Sequence, residues 1–237
     1  VAHELNTPIG NSLLMASTLQ ERTSAVAARF AQATLKRSDL EDYMAASKEA
    51  SELIVRSLHN AAELVSSFRQ VSVDQASAQR RRFDLAQACH EIVATLMNTV
   101  RLAEHRLLLE VPAGIVMDGF PGPLGQVLIN FVNNAMLHAF EGPGGTMTIG
   151  AALHDGRVTI TFRDDGRGIE AAHLGRIFDP FFTTRMGQGG TGLGLNIVYN
   201  IVTSLLGGTI RVESTPGAGT LFVLDLPLRA PDAPEQG

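Results

Sequence analysis

The first eighty residues carry apolar and small side chains at alternating steps of four and three. Leu5, Ile9, Ser12, Ala16, Leu19, Thr23, Val26, Phe30 and Ala33 form one run. Leu40, Met44, Ser47, Ser51, Ile54, Leu58, Ala61, Val65 and Phe68 form a second. This spacing is the narrow seam of coiled coils and four-helix bundles. Between the runs, Ser38-Asp-Leu-Glu41 fits a capping box, with Ser38 accepting from helix amides and Glu41 reaching back. The pattern predicts a helical hairpin turning near Lys36–Ser38. One hairpin cannot enclose its own seam, so the expected assembly is a homodimer forming a four-helix bundle; packing of both helices on the rest of the monomer is the alternative.

The pattern changes past residue 80. Large apolar residues vanish around Asp74–Arg82, which predicts a polar linker. Helices are expected over Ala86–Leu102, Pro121–Phe140 and Leu193–Leu206, and a strand over His105–Val111. Met147, Ile149, Ala151 and Leu153 alternate, as do Val158, Ile160 and Phe162, and His154-Asp-Gly156 between them predicts a hairpin. Thr209–Ser214 and Thr220–Leu226 predict a second hairpin. Expected boundaries are 1–78 for the hairpin and 79–228 for an α/β domain, with a disordered tail over 229–237.

Glycine and proline sharpen this division. The chain holds 23 Gly and 10 Pro, yet neither occurs from Asn11 to Val111, which argues for long helices there and turns beyond. Charge excludes some functions: a net −5 disfavours nucleic acid or an anionic membrane as partner. Cys89 alone forms neither an internal disulfide nor a multi-Cys zinc site. No apolar run reaches the roughly 18 residues of a membrane span. The expectation is a soluble, cytoplasmic piece of a longer chain, whose parent could carry a membrane anchor.

Three segments in the second half suggest nucleotide chemistry. Asp164-Asp-Gly166-Arg-Gly168 follows a strand, placing a carboxylate beside glycines that admit close backbone approach, as a purine amino group would require. Gly187-Gln-Gly-Gly-Thr-Gly-Leu-Gly-Leu195 precedes a helix and offers amides to phosphate. Asn130 and Asn134 share a helix face and offer amide oxygens to a hard cation, although a plain polar face has the same pattern. The glycine run also fits a dinucleotide fingerprint, but Asp179-Pro180 interrupts the strand that fingerprint needs.

In the first half, His3-Glu-Leu-Asn-Thr-Pro8 stands out. His3 lies one position past the seam slot at Ala2, Thr7 shares its face, and Glu4 is adjacent. An imidazole held by a carboxylate can act as a nucleophile; a surface His beside a Glu is the plainer reading. Pro8 predicts a kink just beyond. His59, His90, His105, His154 and His173 lack metal-ligand spacing and are read as solvated or structural.

In this order the segments resemble the catalytic core of bacterial sensor histidine kinases. His3–Pro8 is similar to the H box, Asn130–Asn134-Ala to the N box and Asp164-x-Gly166-x-Gly168 to the G1 box. Phe178–Phe182 is similar to the F box and Gly190-Thr-Gly-Leu-Gly-Leu195 to the G2 box. The resemblance implies a dimerising helical hairpin followed by a two-layer α/β sandwich of the Bergerat, or GHKL, type. It implies ATP and Mg²⁺ as cofactors, and a response-regulator receiver as partner. His3 would be the phosphoacceptor, Glu4 its acid/base partner, and Thr7 a water-orienting residue for dephosphorylation. Asn134 would ligate Mg²⁺ with Asn130 in support, and Asp164 would accept from adenine beside Gly166 and Gly168. Gly187–Gly194, with Gly190, Thr191, Gly192, Leu193 and Gly194 in the G2 box, would border the phosphates, partly within a mobile lid from about Asp179 to Gly190. Two departures stand out: Leu137 and His138 follow Asn134 where a base is frequent, and Arg185 stands where Lys is frequent, leaving a phosphate contact by His138 open. The same fold serves hydrolytic ATPases, which place a Glu where this chain has Asn130, so kinase is favoured over ATPase. An ATP-binding scaffold is the remaining alternative.

Overall fold

The computed structural model describes residues 2–77, 79–185 and 190–231, with side chains described outside 2–6, 59–60 and 62–77. The chain divides into two compact units, Val1–Gln70 and Val71–Gly237.

The first unit is built from α1 (Ala2–Ala31) and α2 (Arg37–Ser77), the latter running on past the unit's end. Helix α1 continues through Pro8, and Ser12 Oγ donates to the Pro8 carbonyl at 2.8 Å. It stops without glycine. Ala33 adopts φ 53°, its N–H donates to Phe30 O, and Thr34 N–H donates to Arg29 O. This Schellman closure normally takes a glycine at the left-handed position, so a gap in glycines did not mean a gap in turns. The start of α2 differs from expectation as well. Helix begins at Arg37, and it is the Asp39 carboxylate that accepts from Lys36 N–H at 3.2 Å. Ser38 lies inside the helix, and Glu41 turns to Arg37 at 2.7 Å. Among the described residues, Thr23 Oγ1 meets Tyr43 OH at 2.8 Å and Arg29 pairs with Asp39 at 3.2 Å across the hairpin.

The second unit places helices on one face of a mixed sheet. Its strands are β1 (Arg81–Asp84), β2 (Arg106–Glu110), β3 (Val116–Gly119), β4 (Thr146–His154), β5 (Arg157–Asp164), β6 (Thr209–Ser214) and β7 (Thr220–Pro227). The main sheet runs β2-β4-β5-β7-β6, parallel at β2–β4 and antiparallel elsewhere. The β4–β5 hairpin turns through Asp155 and Gly156 at φ 49° and 75°, the twist-matched geometry that Asp-Gly favours. Helices α3 (Leu85–Leu102), α4 (Pro121–His138), α5 (Ala171–Leu174) and α6 (Gly194–Asn200) complete it.

Burial follows the period-2 pattern. Met147 and Ile149, Val158, Ile160 and Phe162, and Phe222, Leu224 and Leu226 are all buried. From α4, Leu124, Val127, Leu128, Phe131 and Val132 fill the same core. Phe131 sits between Phe162 (5.3 Å between centroids) and Phe222 (4.7 Å), so the helix carrying the Asn pair is pinned to β5 and β7 by stacked rings.

Several elements were not anticipated. The expected linker through Arg82 gives way to helix as far as Ser77 and then to β1, which pairs with β3 in a separate two-stranded ladder. Its Arg-Arg-Phe-Asp sequence masks the strand, which packs only Phe83 against the core; just before it, Arg80 bonds the Asp118 carboxylate of β3 at 3.0 Å, which lowers the Asp118 pKa. Asp84 ends β1 and caps α3 by accepting from Gln87 N–H at 3.0 Å. The helix expected over Leu193–Leu206 is α6 followed by a π-helical turn, Ile201–Leu205. The tail expected to be disordered from Arg229 is ordered at its start, where Ala230 is buried and its N–H donates to Asp118 O; residues 232–237 lie outside the described set.

Phe131→Ala should destabilise the second unit by about 3–5 kcal/mol, because it leaves a cavity between two rings. Denaturant unfolding monitored by circular dichroism measures this directly; a loss below about 1 kcal/mol would show that the ring stack is dispensable.

Candidate functional site

A cavity of about 370 Å³ opens beside the end of β5. Three loops converge there on Asp164, which is 4 % exposed. Its Oδ1 accepts from Gly166 N–H at 3.0 Å, and Thr220, its register partner on β7, supplies further hydrogen bonds. Burial raises the Asp164 pKa, and the neighbouring Asp165 adds to that; the Gly166 and Thr220 donors oppose it. A carboxylate held in this way is costly unless it serves a ligand.

Glycine is required around it. A Cβ on Gly166 would lie 2.5 Å from both Cβ and O of Ala139. Gly168 has φ 71°, and a Cβ there would strike the Thr215 carbonyl. Ser214 Oγ donates to Gly219 O and accepts from Ile169 N–H, both at 2.8 Å, which stitches this loop to the β6–β7 turn.

Helix α4 supplies the adjoining wall. Asn134 and His138 line the cavity with Asp164 and Gly168, so the structure gathers these expected residues at one place. Asn130 lies one turn behind Asn134, its Nδ2 buried without a partner. A Cβ on Gly194, at the start of α6, would stand 3.5 Å from Asn130 Oδ1. The unpaired Asn130 Nδ2 is a donor that calls for an acceptor, whereas the cavity-lining amide of Asn134 can offer its oxygen to a hard cation.

The expected phosphate-bordering segment is described in part. Gly187 and Gly189 lie outside the described residues, as does 186–189 of the expected lid. Phe181 has φ 66° and donates its N–H to Gly192 O at 2.8 Å. A Cβ on Gly192, itself at φ 68°, would strike the Phe181 backbone. Gly190 N–H donates to Arg185 O at 3.3 Å, and Thr191 Oγ1 accepts from Leu193 N–H at 3.3 Å. Arg185 lies close enough to His138 that its charge, together with burial as the larger cause and Arg167, lowers the His138 pKa.

Some cavity residues were missed. Arg167 and Glu170 line it, as does His173, which was read as structural. His173 packs edge-on against Phe182 at 5.5 Å, and Arg176 lies 4.8 Å over the same ring. Position within the F-box segment was the available signal for Phe182; nothing in the spacing marked His173. Among the others, His105 accepts from Gly145 N–H and stacks on Phe140. His3 and Glu4 lie on α1 with side chains outside the described set, while Thr7 is exposed.

Residues 119–230 match the histidine kinase-, DNA gyrase B- and HSP90-like ATPase family. The sensor histidine kinase ZraS of Escherichia coli O157:H7 is 33% identical over 244 residues, covering 100% of this chain and 47% of that protein. These matches support a two-component histidine kinase catalytic core. Among solved structures, the catalytic domain of histidine kinase ThkA matches this kinase core with 28% identity and a TM-score of 0.57, over 64% of this chain and 97% of that one. ThkA in complex with its response regulator TrrA matches with 21% identity and a TM-score of 0.62, over 96% of this chain and 59% of that one, a likeness of fold. The kinase core spans less than half the length of the curated relatives it matches.

The raised Asp164 pKa has a consequence for stability. Above the ordinary value of 3.8 the unfolded carboxyl ionises first. The folded state then holds more protons, and stability falls as pH rises through the raised value. Asp164→Asn should therefore melt at or above wild type at pH 7, with the difference closing below pH 3.8. A variant clearly less stable at pH 7 would show that the carboxylate serves the fold.

Proposed function

We propose that this chain autophosphorylates on His3 from Mg·ATP and passes the phosphoryl group to an aspartate of a response-regulator receiver. The cavity carries the reading: a buried carboxylate, Asp164, fits an adenine amino donor, and the cavity-lining Asn134 would offer its amide oxygen to Mg²⁺, with Asn130 in support one turn behind. The match to ZraS over the whole chain supports it for the His3 segment too. When bound, the cation would neutralise charge on the triphosphate.

The chain's own residues then have distinct tasks. Asp164 orients the base, while Gly166 and Gly168 let the backbone close around it. His138 and Arg185 present positive or polarisable groups toward phosphate. Glu4 holds a proton on one imidazole nitrogen of His3 while the other attacks. The P–N bond forms as the bond to the ADP leaving oxygen breaks, a loose transfer that depends chiefly on positioning and charge. An amide at Asn130 cannot take a proton from water, which favours transfer to a protein nucleophile over hydrolysis.

The remaining readings concern assembly. Phe30, Met44 and Leu58 of the seam are 74%, 63% and 50% exposed in the single chain, which supports a homodimer closing a four-helix bundle. The response regulator bound to ThkA supports a receiver as partner. We read 1–78 as the dimerisation and phosphoacceptor segment and 79–228 as the ATP-binding domain. Among the described residues no helix is long and apolar enough to cross a membrane.

With labelled ATP and Mg²⁺, wild type should yield an acid-labile, base-stable phosphoprotein. His3→Gln should abolish the label while still binding ATP, and Asp164→Asn should lose both; label retained in His3→Gln would sink the assignment. Thr7→Ala should autophosphorylate normally yet slow receiver dephosphorylation about tenfold or more, in line with loss of a positioned water. Equal phosphatase rates would remove Thr7 from that role.

A further inference from the structure

Arg167 fills the variable position between Gly166 and Gly168, where the glycine spacing makes no demand on the side chain. The structure gives it a defined place. Its N–H donates to Ala139 O at 2.9 Å, and its carbonyl accepts from Gly217 N–H at 2.7 Å. The backbone is thus pinned on both sides, and the residue lines the cavity. There it joins His138, whose pKa the charges of Arg185 and Arg167 depress further after burial. Arg167 and His138 thus line the cavity near the end of α4, with Arg185 close enough for its charge to act on His138.

The partner of Arg167 is weakly held. Its Nη1 lies 3.9 Å from Glu141 Oε1, beyond hydrogen-bond distance, and the Glu141 side chain is 77% exposed. A pair this long and this wet contributes little to stability. A guanidinium exchanges such a carboxylate readily for phosphate, which carries more charge and accepts two parallel hydrogen bonds.

We propose that Arg167 binds the phosphates of the nucleotide and that Glu141 competes for it, so the pair sets nucleotide affinity at the cavity mouth. This rests on the nucleotide reading of the cavity. It assigns Arg167 a specificity role that the glycine motif does not carry, and gives Glu141 a role through Arg167 alone.

The test is a double-mutant cycle on the whole chain. Calorimetry would measure ATP and ADP, and adenosine would be read by competition against a fluorescent ATP analogue. Arg167→Ala should weaken ATP and ADP roughly tenfold, the range for one charge-assisted contact, and leave adenosine unchanged. Glu141→Gln should tighten ATP several-fold, and that gain should vanish in the Arg167→Ala background. An equal loss for adenosine would mean that Arg167 serves the base or the fold, and would overturn the proposal. A gain from Glu141→Gln that survives without Arg167 would reduce Glu141 to simple repulsion and overturn its half. Failure of the wild-type chain to bind ATP would instead sink the reading of the cavity itself.

Discussion

A carboxylate kept out of water at the end of a strand is the constraint around which the second unit is arranged. Asp164 is brought inside by the same alternation that buries Val158, Ile160 and Phe162 on β5. Apolar side chains gain from that position, whereas a carboxyl loses hydration there. The surrounding loops mitigate the loss in part through the Gly166 and Thr220 donors. Much of the local backbone exists to keep those donors in place. Gly166 abuts Ala139, Gly168 abuts Thr215, and Gly219, at φ 80°, would meet the Asp164 carbonyl if it carried a Cβ. The site is thus a place where fold stability has been exchanged for an available acceptor.

The core behind it is organised to hold the two walls at a constant spacing. Phe131 locks α4 between β5 and β7, and α4 carries Asn134 and His138 on the side that faces the cavity. A helix anchored through stacked rings delivers its polar face with little freedom, which transfer chemistry requires of groups that position charge. The opposite wall is made differently. Phe181 and Gly192, both left-handed, meet backbone to backbone, and Phe182 is gripped by His173 and Arg176. Aromatic contacts of that kind adapt more easily than a ring stack in the core.

The first unit has another logic. Its helices are long, and single links such as Thr23 with Tyr43 set their register. Phe30, Met44 and Leu58 of the seam remain exposed, although Ser12 and Ala61 are buried. Exposed apolar side chains of this kind are what motivate the proposed dimer.

Periodicity alone was enough to read the hairpin helices, the two β-hairpins, the helix carrying the Asn pair, and the order of the glycine and carboxylate segments. These rest on local rules: heptad spacing, alternation, Asp-Gly turns and helix-face geometry. What tertiary structure decided was of another kind. Strand β1 is Arg-rich and pairs with β3, and Arg80 just before it bonds Asp118, a residue far along the chain. Helix α1 ends on Ala33 in a conformation that glycine usually takes. His173, Glu170 and Arg167 became cavity residues because the fold carries their loop to α4 and to the β6–β7 turn. Local pattern records which face of an element is apolar; which polar groups end up sharing a cavity depends on contacts between distant segments, and no short window of sequence contains them.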